Sequence, residues 1–208
     1  MNTEYCFLDV SKYKSEECRL EAYNCLSVWR REKVDAQKTG QGRLLSLGAG
    51  ILFDEAMKSR GLDPDKTRIA VNRYGKPFLP DHPDLHFSLS HSGAFALCAV
   101  SDREVGCDIQ IIEERRLSAV SRAFSEEEAR ILRELDKSEE RAFFYRVWTL
   151  KESLIKADGR GLAFPMQSIS VMQSAGQCRD AVKVQEKEYR LTELPAPENY
   201  CAAVCELL

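Results

Sequence analysis

Residues 143–159 read FFYRVWTLKESLIKADG. Phe143, Val147, Leu150 and Leu154 recur at spacings of four, three and four, the pattern of an amphipathic helix burying one face. Glu152 and Lys156 lie at i and i+4, so they share a face beside Trp148. Two readings of that pair are open. One is a surface ion pair worth about 0.3–0.5 kcal/mol. The other is a metal-binding carboxylate next to a cation that faces phosphate.

Outward from this helix the pattern changes period. After Gly159 and Gly161, the segments Ser168 to Met172, Ala181 to Gln185, Tyr189 to Leu194 and Tyr200 to Glu206 read as strands. Upstream, helical spacing runs back to Glu126, and Ser125 with Glu128 forms a capping box at its start. The first half of the chain has the same order. Residues 16–60 read as helices ending at Gly61 and Pro64, followed by strands over Thr67 to Val71, His86 to Ser90, Ala94 to Val100 and Val105 to Ile112. No clear sequence repeat accompanies this doubling. The expected architecture is α+β in two lobes, residues 1–112 and 113–208, with a small-molecule cleft between them.

Bulk properties narrow the function. The chain has 208 residues, 44% hydrophobic and 30% charged, with a formal net charge of −3. That excludes a global basic field for nucleic acid. The apolar runs are too short to span a bilayer, and MNTEYCFLDV lacks the charged and apolar regions of a signal peptide. The eight cysteines form no CxxC pair and several sit in apolar strand-like stretches. They read as reduced thiols of a cytoplasmic protein, not as a disulfide framework or zinc site.

Three further stretches carry chemistry. In VGCDIQI (105–111), strand alternation puts Asp108 and Gln110 on one face and Val105, Cys107, Ile109 and Ile111 on an apolar one. A carboxylate and an amide oxygen two residues apart suit a hard cation such as Mg²⁺; an ordinary solvated face is the plain alternative. In LHFSLSHSG (85–93), Ser90 and His91 supply groups that a phosphate needs, but as neighbours on a strand they point to opposite faces, which argues against a direct nucleophile–base pair. In GKP (75–77), Lys76 is a point charge in a tight turn.

Taken together and in order, GKP, FSLSHS, VGCDIQ and FFYRVWTLKESLIKADGRG resemble the 4′-phosphopantetheinyl transferases, of the two-lobed type that activates surfactin synthetase. REKVDAQKT and PDLHFSLSHSG also sit where that family has them. The resemblance implies two pseudo-symmetric α+β lobes, each with helices on a small antiparallel sheet, and a monomer whose single chain makes the cleft. It implies transfer of the phosphopantetheine arm of coenzyme A to a serine of an acyl or peptidyl carrier protein, with Mg²⁺ required and adenosine 3′,5′-bisphosphate released.

Carried onto this chain, Asp108 and Glu152 become metal-binding carboxylates, with Gln110 as a possible third ligand. Glu152 becomes the acceptor of the serine proton, and Lys156 the partner of the phosphoryl oxygens. Ser90, His91 and Lys76 would hold coenzyme A phosphates. Of the N-terminal basic residues, Lys38 matches a family position best, with Arg43, Arg30 and Arg31 aligning more loosely. Trp148 and Phe144 read as core supports for the helix. The family often has an acid where Gln110 stands, so weaker metal binding or an extra coordinating water is expected. Residues 113–141 would dock the carrier, with Arg115, Arg116 and Arg122 beside Leu117, Val120 and Phe124. A non-catalytic coenzyme A or nucleotide binder and a Mg²⁺-dependent nucleotide phosphohydrolase share the phosphate-holding residues and stand as alternatives.

Overall fold

The computed structural model describes residues 3–114, 123–173 and 176–208, without the side chain of residue 162. It is built on two small antiparallel sheets of like topology. In the first, β1 (Glu4–Asp9) pairs with β5 (Phe95–Ser101), and β5 pairs with β4 (His86–Ser92). In the second, β6 (Val105–Ile111) pairs with β11 (Tyr200–Leu207), followed by β10 (Lys187–Glu193) and β9 (Ala181–Val184). Each sheet therefore joins its first strand to its last and the last to its predecessor.

Helices follow the first strand of each sheet. In the first half they are α1 (Glu16–Asn24), α2 (Val28–Asp35) and α3 (Gly40–Lys58); in the second, α4 (Glu126–Glu134) and α5 (Lys137–Asp158). A two-stranded hairpin comes next in both: β2 (Ala70–Val71) with β3 (Pro77–Phe78), and β7 (Met172–Gln173) with β8 (Gln177–Cys178). α3 packs on the first sheet around Phe53, Met57, Phe87 and Cys98. α5 packs on the second through the apolar stripe Phe143, Val147, Leu150 and Leu154. A third apolar cluster, including Leu97, Val105, Cys107, Ile109 and Val204, joins the two sheets.

The α+β reading holds, with differences in detail. β6 pairs with β11, so this strand belongs to the second sheet. β1 was not anticipated; as an edge strand it exposes most of its residues, which blurs the alternation. The helical stretch from Glu126 breaks into α4 and α5 because Leu135 is extended and Asp136 starts a new helix. The strand expected over Ser168 to Met172 shrinks to Met172–Gln173, preceded by a 3-10 turn. Phe124 is no docking anchor: it is buried and stacks on Phe144. Arg115, Arg116, Leu117, Val120 and Arg122 lie outside the described residues.

β4 and β6 run side by side in the same direction but belong to different sheets. Side chains bridge them. The amides of Cys107, Ile109 and Ile111 donate to the hydroxyls of Ser88 (3.0 Å), Ser90 (3.4 Å) and Ser92 (3.0 Å). Buried amides need acceptors, and the alternate serines of FSLSHS provide them. This serine-lined seam sets the floor of the cleft.

Candidate active site

The cleft above the seam has a volume of about 490 Å³. α2 and β4 form one wall and β6 and α5 the other. Asp108 lies at its base, 2% exposed, rather than on a solvated strand face. Burying a carboxylate requires partners, and it has three: the Ser90 hydroxyl (2.6 Å), the Lys156 ammonium (2.7 Å) and the Gln110 amide nitrogen (3.2 Å). Lys156 also donates to the carbonyl of Cys107 at 3.0 Å.

α5 reaches this strand because position 106 is glycine. A Cβ there would stand 2.0 Å from the carbonyl oxygen of Ser153 and 2.3 Å from the amide of Ala157. Only a residue without a side chain allows helix and strand to approach so closely. Gly159, in the left-handed region at φ 80°, then ends α5 just past Lys156.

Glu152 lines the same cleft, half-buried. Burial and the negative charge of Asp108 raise its pKa, and Lys156 partly offsets them. For Lys156, burial works to lower the pKa, but the acids around it prevail and the ammonium is held above its ordinary value. Asp108 pairs with the ammonium and Glu152 feels its charge across the cleft, and two carboxylates lining one cleft suit a hard divalent cation. Gln110 turns its amide nitrogen toward Asp108, and its oxygen accepts from Ser92 at 3.5 Å. As placed, it serves Asp108 as a donor. Among the described residues, no group of three or more His, Cys, Asp and Glu side chains forms a metal site.

The opposite wall is cationic. Arg30 and Lys33 of α2, with Gln37 just beyond, line the cleft at spacings of three and four. Arg30 is only 5% exposed. One terminal nitrogen donates to the Ser46 carbonyl at 3.0 Å, while its buried Nε has no hydrogen-bond partner among the described residues. Burial brings its pKa down to about 10. A guanidinium held this way, facing a cleft, suits an anion. Its helix is fixed by Asp54, which accepts from the amide (2.7 Å) and hydroxyl (2.8 Å) of Ser27 at the start of α2. His91 sits exposed at the rim, where desolvation on its cleft side, aided by Lys156 and Arg30, lowers its pKa.

The sequence-derived candidates therefore separate. Asp108, Gln110, Glu152, Lys156, Ser90 and His91 meet in one cleft. Lys38, Arg43 and Lys76 do not line it. Lys38 is exposed after α2, and Arg43 donates to the Gln37 carbonyl at 3.1 Å in a groove bounded by α1 and α3. Lys76 donates to the carbonyls of Val105 (3.3 Å) and Ala157 (2.9 Å). Lys33 was not among the candidates and Arg30 ranked below Lys38; the helical spacing of 30, 33 and 37 was the signal available for both. Trp148 packs against the core, as expected, yet also lines the cleft.

Residues 104–205 match the family model of the 4′-phosphopantetheinyl transferase superfamily. A 4′-phosphopantetheinyl transferase of Bacillus subtilis is 34% identical over 197 residues, covering 94% of this chain and 81% of that protein. The 4′-phosphopantetheinyl transferase Sfp of Bacillus subtilis (strain 168) is 32% identical over the same share of each. A 4′-phosphopantetheinyl transferase of Nostoc, HetI, is 32% identical over 169 residues, or 78% of this chain and 70% of that protein.

Proposed function

This chain belongs to the 4′-phosphopantetheinyl transferase superfamily, and from that premise we propose that the cleft over β6 is where it carries out the transfer. The enzyme moves the 4′-phosphopantetheine arm of coenzyme A to a serine hydroxyl of a carrier protein. The observation that carries the site assignment is the meeting of Asp108, Glu152 and Lys156 opposite the buried Arg30.

In this reading the serine oxygen attacks the phosphorus that bears the pantetheine. The bridging P–O bond breaks, and adenosine 3′,5′-bisphosphate leaves. Glu152 takes the serine proton; its raised pKa brings it closer to the basicity a proton acceptor needs near neutrality. Lys156 has three donors, of which Asp108 and Cys107 account for two. The third meets the phosphoryl oxygens, where negative charge builds. Asp108 and Glu152 would hold Mg²⁺, which when bound supplies positive charge against the pyrophosphate. Ser90 keeps Asp108 oriented for that role through its 2.6 Å bond. Arg30, Lys33 and His91 hold coenzyme A phosphates.

The chain works as a cytoplasmic monomer in this account, since its own two halves supply both walls. No described helix is long and apolar enough to cross a membrane. Incubating apo-carrier proteins with coenzyme A and Mg²⁺, and weighing them by mass spectrometry, tests the activity and names the carrier. Carriers gaining one phosphopantetheine and adenosine 3′,5′-bisphosphate appearing in equal amount is the expected result. Unmodified carriers with free phosphopantetheine released would instead indicate hydrolysis.

A further inference from the structure

The edge of β6 that faces β4 has carbonyls as well as amides to satisfy. Serine hydroxyls take the amides. Two lysines take the carbonyls: Lys156 meets Cys107 at 3.0 Å, and Lys76, one step back along the strand, meets Val105 at 3.3 Å. The same Lys76 ammonium donates to the carbonyl of Ala157 at 2.9 Å. That carbonyl lies in the last turn of α5, where acceptors lack partners within the helix and a cation complements the helix dipole.

Asn72 works beside it. Its amide nitrogen donates to the Gly159 carbonyl at 3.0 Å. Its oxygen accepts from the amides of Tyr74 (2.9 Å) and Lys76 (3.0 Å), which fixes the turn between β2 and β3. The fit is close: a Cβ at Gly159 would stand 3.0 Å from Lys76 Cδ and 3.3 Å from Asn72 Nδ2. A hairpin from the first half of the chain thus grips the end of the helix that carries Glu152 and Lys156.

We propose that Lys76 is a positioning residue for transfer: with Asn72 it clamps the C-terminal end of α5 to β6, setting Glu152 and Lys156 over Asp108, and it holds no coenzyme A phosphate. The inference rests on the transferase reading of the cleft. It differs from the sequence-based expectation, which gave Lys76 to the nucleotide.

Lys76→Met and Asn72→Ala separate the two roles. Carrier modification gives kcat, titration calorimetry gives coenzyme A affinity, and hydrogen exchange reports on residues 155–159. With a clamp, both variants lose about tenfold or more in kcat, because small displacements of reacting groups are costly. Both keep coenzyme A affinity within about twofold of wild type, since no charge-assisted contact is lost. Both exchange faster at the end of α5. The proposal is overturned if Lys76→Met weakens coenzyme A binding about tenfold, the scale of a lost charged hydrogen bond, while Asn72→Ala does not. It is equally overturned if exchange at 155–159 is unchanged in both. Should Lys76→Met fail to fold, Asn72→Ala, which keeps the ammonium, decides by the same readings. A wild-type chain that binds no coenzyme A would sink the functional reading instead, and the exchange measurement would still judge the clamp.

Discussion

α5 carries two lysines five residues apart, each paired with a carboxylate from another element, and the two pairs differ in everything except chemistry. Lys151 and Glu128 are 1% and 0% exposed, with their charged atoms 2.6 Å apart. All three donors of Lys151 are used, on Glu128 and on the carbonyls of Ala123 (2.7 Å) and Met166 (2.9 Å). Glu128 in turn accepts from the amides of Ser125 (2.8 Å) and Val171 (2.7 Å). Burial lowers the pKa of Lys151. Lys156 and Asp108 make an equally short pair at 2.7 Å, but the lysine side chain is 30% exposed and two acids surround it. The first pair is saturated and sealed, so it can only hold α4, α5 and the Met166–Val171 segment together. Among the described residues the second leaves one ammonium donor of Lys156 without a partner, and it opens to a cleft. An ion pair becomes a functional site through what it leaves unsatisfied.

Breaking each lysine in turn gives the largest contrast. Lys151→Met strands a buried carboxylate and should cost about 3–5 kcal/mol in chemical denaturation. Lys156→Met should lower transfer about a thousandfold, the scale of a lost electrostatic stabiliser, with a smaller stability loss than Lys151→Met, because Asp108 keeps the Ser90 and Gln110 donors and the lysine side chain is 30% exposed. Loss of the fold in both, or in neither, would erase the distinction.

Glu152→Gln sharpens the open side. Transfer should fall about a thousandfold, within the range for removing a general base. The melting temperature should hold or rise, because ionising a glutamate whose pKa is raised costs the fold stability above that pKa. Gly106→Ala tests how the two charged groups are brought together. A methyl 2.0 Å from the Ser153 carbonyl must push α5 off β6, costing about 1–3 kcal/mol and reducing transfer without touching a charged residue.

Smaller effects belong to the N-terminal wall. Arg30→Met should raise KM for coenzyme A about tenfold, as for one charged hydrogen bond, with kcat nearly unchanged. Raising kcat losses above KM changes would move Arg30 from binding to chemistry. His91, its pKa held low, gains a proton as pH falls, and the imidazolium attracts phosphate more strongly. KM for coenzyme A should therefore decrease modestly from about pH 8 to about pH 6, and the trend should vanish in His91→Gln.

Local pattern made much of this legible. The helix at 143–159, the capping box at Ser125 and the strand with Asp108 announce themselves through spacings of three, four and two, because neighbours along a helix or strand share a face whatever surrounds them. The capping box proved to have a second role that its motif does not declare, since Glu128 also bonds Val171 and Lys151. The basic residues were harder. Lys38 and Arg43 sit near Arg30 and Lys33 in sequence, yet a turn between α2 and α3 sends them elsewhere.

By itself, the sequence determined the α+β class and the family, and it singled out Asp108, Glu152 and Lys156 as the candidate groups, since short-range periodicity and motif order carry that information. Only the tertiary structure decided which strand joins which sheet, which cations face the cleft, and that Lys76 grips α5. Those outcomes depend on packing between residues far apart in the chain. A free surface lysine and one bonded to two backbone carbonyls look identical until those carbonyls are brought beside them.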